Sequence, residues 1–145
     1  MMVAFSKKEG CLDMSTVYRN ILLPVDGSQQ SIDAFKSGIL LAKKLESNVY
    51  LVLVLDENSD EIVVNKREAF LGSLADFASK EGVKLHKEII YGEPRSQIAH
   101  DLIDRWSINL IVMGATGKGR IAKMTIGSVT EYVLRNAKCA VLISR

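Results

Sequence analysis

Between Val112 and Val133 the chain reads VMGATGKGRIAKMTIGSVTEYV, and four of its ten glycines, Gly114, Gly117, Gly119 and Gly127, fall in this stretch. Glycine concentrates where the backbone turns tightly or comes close to something else. Gly114, Gly117 and Gly119 can turn main-chain N–H groups toward a ligand with no side chain in the way. Gly127 and Ser128 then open a predicted helix. Its first N–H groups lack internal partners, and its dipole end is positive. Ser128 and Thr130 add hydroxyls, and Lys118, Arg120 and Lys123 bring cationic side chains nearby. Donors, positive charge and bare backbone together suit a phosphate chain. The competing reading is a glycine-rich connection followed by an ordinary serine helix cap.

Two common phosphate fingerprints do not fit. No Lys-Ser or Lys-Thr pair closes a G-x-x-x-x-G-K pattern, and GKGRIA supplies only part of a G-x-G-x-x-G. A second polar turn, PVDGS, follows an earlier apolar run. Its Asp26 can hydrogen-bond a ribose or hold a metal-bound water, although Asp also starts turns for purely structural reasons. His86 and His100 have no cysteine or second histidine at zinc-ligand spacing and are expected to be structural or solvated. Cys139 and Trp106 read as core residues. No Ser-His-Asp or Cys-His grouping and no suggestively spaced carboxylate pair can be assembled, so a binding loop is evident where hydrolytic machinery is not.

These loops must be held by the elements around them. NILLPV (20–25), VYLVLVL (49–55), VKLHKEIIY (83–91), LIVM (110–113) and AVLIS (140–144) read as strands. Between them lie helical patterns. One is capped by Ser28 and carries Ile32, Phe35, Ile39, Ala42 and Leu45. Another has Val63, Phe70, Leu74 and Phe77 on its stripe and stops near Gly82. A third opens at Pro94 and Ser96, and a last runs from about Ser128 to Asn136. Strand and helix alternating in this way predict a single-domain α/β fold, a five-stranded parallel sheet with helices on both faces. Ligands of such sheets sit beyond the strands' carboxyl ends, at the switch point where connections diverge. PVDGS and the glycine loop would share that crevice if their strands are neighbours.

At 145 residues the chain is expected to be one domain, residues 20–145, after an extension, residues 1–19, that has no regular period and is expected to be mobile. A formal net charge of +2 argues against nucleic acid or an anionic membrane as partner. Two cysteines make no disulfide framework, and the first residues lack a signal-peptide pattern, so a cytoplasmic location is expected.

Gly114-x2-Gly117-x9-Gly127-Ser128 also resembles, in full, the glycine signature of the ATP-binding branch of the universal stress protein family. The likeness covers residues 20–145 and includes ILLPVDGS, YGEPRSQI, LIVMGATGKG and IGSVTEYVL. It implies a Rossmann-like, adenine-nucleotide-binding fold, a homodimer, and ATP, with Mg2+ or Mn2+, as cofactor. By position it implies that Pro24 and Asp26 border adenine and ribose and that Val54 contacts adenine, with Val25 and Met113 also among the nucleotide-binding residues. Gly114, Gly117, Lys118, Gly119 and Arg120 would lie by the phosphates, with Gly127, Ser128, Val129 and Thr130 at the helix start. Two departures, Asn109 and Ala140, lie outside the signature. The terminal strand is short, apolar and unprotected by Lys or Pro. It is therefore expected at a dimer edge, with Val141 and Ile143, or Leu142, across the two-fold axis. The implied role is a nucleotide-dependent regulatory protein of the stress response with at most slow turnover. A hydrolase or phosphotransferase, and a dimeric interaction module that leaves the loop unused, are the alternatives.

Overall fold

The two most continuous apolar runs become strands in the middle of the sheet, where both faces are covered. The structure, a computed structural model, describes residues 2–4, 17–116 and 126–145. Strands β1 (Met2–Ala4), β2 (Asn20–Pro24), β3 (Asn48–Leu55), β4 (Leu85–Tyr91), β5 (Leu110–Gly114) and β6 (Ala140–Ser144) form one sheet in the order β1-β6-β5-β2-β3-β4. From β2 onward every pairing is parallel. The five-stranded parallel α/β sheet expected from the alternation is therefore present. Connections from β2 proceed outward through β3 to β4, then return to β5 on the other side of β2. The switch point lies between β2 and β5, the strands after which the two loops singled out in the sequence begin.

Helices α1 (Gln29–Leu45) and α2 (Glu61–Lys80) cover one face. Ile21 and Leu23 of β2, Leu51 of β3 and Val112 of β5 meet Phe35, Ile39, Leu71 and Leu74 there. The next residues along the strands, Leu22, Val52 and Ile111, point the other way and meet Ile98, Leu102 and Val133. Those belong to α3 and to α4 (Ser128–Asn136). Helix α3 runs in three pieces, Pro94–Ser96, a π-helical Gln97–Asp101 and Leu102–Trp106. The period-two alternation of the strands thus builds two cores from one sheet.

Three expectations are corrected. The stripe of α2 is Leu71, Leu74 and Ala78, with Phe70 and Phe77 half-buried, while Val63 in the first turn is 38% exposed. Trp106 is only partly buried: it stacks on Tyr50 with ring centroids 4.8 Å apart, and the Arg105 guanidinium covers it at 4.9 Å. Third, β6 is not the edge of the sheet. Met2–Ala4, from the extension, pairs antiparallel along it, with Met2 opposite Ile143 and Ala4 opposite Val141. An exposed edge leaves N–H and C=O groups unpaired, and here the chain's own first residues pair with them. Val141 and Ile143, expected at a subunit contact, lie in the core with 2% and 0% of their surface exposed. Lysine at either position would place a charge in the core and report on folding, not on assembly.

Candidate functional site

Beyond the carboxyl ends of β2 and β5 lies a cleft of about 320 Å³. Its wall is built from four places in the chain: Pro24, Val25, Asp26 and Ser31; Val54; Pro94 and Ile98; and Met113, Gly114, Thr116 with Gly127, Ser128, Val129 and Thr130. Of the residues singled out in the sequence, Pro24, Val25, Asp26, Val54, Met113, Gly114, Gly127, Ser128, Val129 and Thr130 line this one space. Gly117, Lys118, Gly119 and Arg120 lie outside the described residues.

The loop after β2 is held by its own side chains. The Asp26 carboxylate accepts the Ser28 N–H at 2.9 Å, and the Ser28 hydroxyl caps α1 by accepting the Ser31 N–H at 3.1 Å. The Ser31 hydroxyl donates to the Ser28 carbonyl and accepts the Asp26 N–H. Gly27 between them has φ +90°, a torsion that side-chain-bearing residues rarely adopt, and an added Cβ would stand 2.6 Å from an Arg67 guanidinium nitrogen. Asp26 is thereby fixed at the mouth of the cleft.

On the other side, β5 delivers Gly114 to the same opening. The Gly127 N–H donates to the Ala115 carbonyl at 2.8 Å, so the start of α4 is tied to the end of β5. Gly127 itself has an ordinary extended backbone, φ −66° and ψ 159°. The Thr130 hydroxyl, expected to donate to a phosphate, is buried at 3% exposure and donates to the Gly114 carbonyl at 2.9 Å. Its described role is to hold β5 to α4. Ser128 remains exposed at the helix start. The lining combines five apolar residues, Pro24, Val25, Val54, Ile98 and Met113, with the first turn of α4, where helical N–H groups lack partners within the helix.

Sequence reasoning missed Ser31, Thr116, Pro94 and Ile98. The last two come from α3, which forms the cleft wall only because its chain crosses to the β5 side of the sheet. Pro94 occupies the first turn of α3, and the preceding Glu93 caps it by accepting the Ser96 N–H at 3.0 Å. Glu93 is exposed, and the slight desolvation it feels pushes its carboxyl up. The Ser96 and Arg95 N–H groups and the Arg95 charge outweigh that effect and hold it below its ordinary value. The stability Glu93 contributes is therefore full above the ordinary carboxylate range and is lost as pH falls through the lowered folded-state value. Glu93→Ala is expected to cost less than about 1 kcal/mol at neutral pH, because the cap is exposed and screened by solvent. In urea melts the gap to the unmodified protein should close in acid; a gap that widens in acid would contradict the cap.

Among the described residues no group of three or more His, Cys, Asp and Glu could hold a metal ion. The histidines have other contacts: His86 lies 3.1 Å from Glu88, and His100 lies 3.1 Å from the Tyr132 hydroxyl, joining α3 to α4. Cys139 is buried.

The family model for universal stress proteins matches residues 17–145. The chain belongs to the universal stress protein family. It is 33% identical over 140 residues to a universal stress protein from Methanocaldococcus jannaschii, covering 88% of this chain and 82% of the relative. Among solved structures, the universal stress protein UspA from Lactobacillus plantarum superposes with a TM-score of 0.77 at 28% identity, over 88% of this chain and 98% of that one. A universal stress protein in complex with cAMP matches at a TM-score of 0.74 and 24% identity, over 89% of this chain and 98% of that one. The PVDGS turn and the end of β5 therefore sit at the switch point of a family fold.

Proposed function

We propose that this universal stress protein binds an adenine nucleotide, ATP foremost, in the cleft between the β2 loop and the start of α4. Bound nucleotide then sets the conformation or partners of a stress-response regulator. The observation that carries this is that one cleft is lined both by apolar residues, Pro24, Val25, Val54, Ile98 and Met113, and by the N-terminus of a helix. A base fits the first and a phosphate the second. The family neighbour in complex with cAMP supports the same ligand class. Mg2+ or Mn2+ would accompany a triphosphate, and Asp26 is the carboxylate on the wall that could face it. It is also the sole ionisable side chain among the described lining residues. Hydrolysis requires a positioned base or water-orienting group, so turnover should be slow.

The reading includes a cytoplasmic homodimer. With β1 on the outer side of β6, a partner must pair with β1, displace it, or use another surface. Sedimentation of the full-length chain decides the assembly. No described helix is long and apolar enough to cross a membrane.

A nucleotide that binds only the folded chain raises its melting temperature, by about 2.7 kcal/mol of stabilisation at a hundred times the Kd. ATP with Mg2+ is expected to shift the melting curve upward, and GTP to shift it less. An equal shift with GTP would remove the adenine assignment. Rapid release of ADP during the incubation would favour the hydrolase reading.

A further inference from the structure

Gln30 lies in the first turn of α1 and is no part of the glycine signature. Its side-chain oxygen accepts the Thr116 N–H at 3.0 Å and also the Thr116 hydroxyl. A main-chain N–H can only donate, so the Gln30 atom facing it must be the oxygen. Thr116 is 3% exposed and lines the cleft. The main chain of Gln30 is as close to this strand as its side chain: an added Cβ on Gly114 would meet the Gln30 carbonyl oxygen at 3.0 Å. The residue between them, Ala115, accepts the Gly127 N–H at the start of α4. One residue of α1 thus holds Thr116 and abuts Gly114, in the stretch that Ala115 ties to the start of α4.

We infer that Gln30 is a positioning residue for the phosphate end of the site, and that it sets the preference for nucleotide over nucleoside. The inference rests on the adenine-nucleotide reading given above. Without the Gln30 oxygen, the Thr116 N–H loses its acceptor and the β5 end of the cleft loosens against α4. Phosphate contacts then weaken while base contacts at Pro24, Val25 and Val54 are kept. A ligand with phosphates should feel the change, and adenosine should not.

The test compares Kd values for ATP and for adenosine by calorimetry, using the full-length chain, Gln30→Met and Thr116→Val. Methionine keeps the length of the side chain but has no comparable acceptor. Gln30→Met is expected to weaken ATP about tenfold, the size of one lost hydrogen bond to a positioned group, with adenosine changed less than about twofold. Thr116→Val removes the hydroxyl alone and should give a smaller change of the same kind. Combined with Gln30→Met it should add little, because the two groups act through one contact. If the unmodified protein binds neither ligand, the nucleotide reading fails and this inference fails with it. If it binds both and Gln30→Met leaves the ratio of the two Kd values unchanged, only the role of Gln30 is overturned. Equal losses for both ligands would make Gln30 a merely structural residue. Should Gln30→Met fail to fold, Thr116→Val and its ATP-to-adenosine ratio decide the question in the same way.

Discussion

Gly114→Val is expected to leave a folded protein whose affinity for ATP has fallen by at least about tenfold, a loss of about 1.4 kcal/mol or more. The first added atom would meet the Gln30 main chain, with the carbonyl oxygen at 3.0 Å and the carbonyl carbon at 3.1 Å. Main chain in the first turn of a capped helix cannot rotate away as a side-chain tip can. The start of α1 must therefore move off β5, carrying the Gln30–Thr116 contact and the Asp26 turn with it. The Gly114 carbonyl also holds the Thr130 hydroxyl, so strain passes to the start of α4. Overpacking of this kind costs about 1–3 kcal/mol of stability, which circular dichroism melts would register. A folded variant that titrates with ATP like the unmodified protein would show that β5 does not form the wall of the binding site.

The largest loss of stability is expected from Phe35→Ala. Phe35 is 1% exposed and lies where α1, the sheet and α2 meet, with its ring edge-to-face on Phe77 at 6.1 Å. Removing a buried aromatic ring forfeits its transfer free energy and leaves a cavity, together about 3–5 kcal/mol. For a domain of this size each kcal/mol lowers Tm by roughly 2–4 °C, so the melting point should drop by about 10 °C. Urea denaturation gives the same quantity without heat. A loss below about 1 kcal/mol would mean that α1 does not pack on the sheet through Phe35.

Much of this architecture was legible because buried parallel strands leave unbroken apolar runs. LIVM and VYLVLVL needed only length and flanking turns to be read as strands, and Ser28 announced its helix. The two loops could be matched to one crevice because alternation implies a switch point. What escaped depends on contacts between distant residues. Gln30 and Thr116 are 86 positions apart, and nothing local in either marks the other. Thr130 looked like a phosphate donor because the sequence does not show that its hydroxyl donates to the Gly114 carbonyl, 16 residues earlier. Met2–Ala4 has no strand pattern of its own; three residues become a strand only where an existing edge supplies partners. Trp106 was read as core, whereas its ring is only partly buried, packed against the core's margin and stacked on Tyr50.

Calorimetric titration of the full-length chain with ATP and Mg2+ tests the nucleotide site most directly, because it needs no variant and no comparison protein. Charge-assisted phosphate contacts plus an apolar base pocket predict saturable binding of one ATP per chain, with a Kd between roughly 1 μM and 1 mM. AMP should bind in the same cleft and more weakly, and prior saturation with ATP should abolish its heat. Absence of saturable heat up to several times the upper limit of that range, at two temperatures, would contradict nucleotide binding in the cleft.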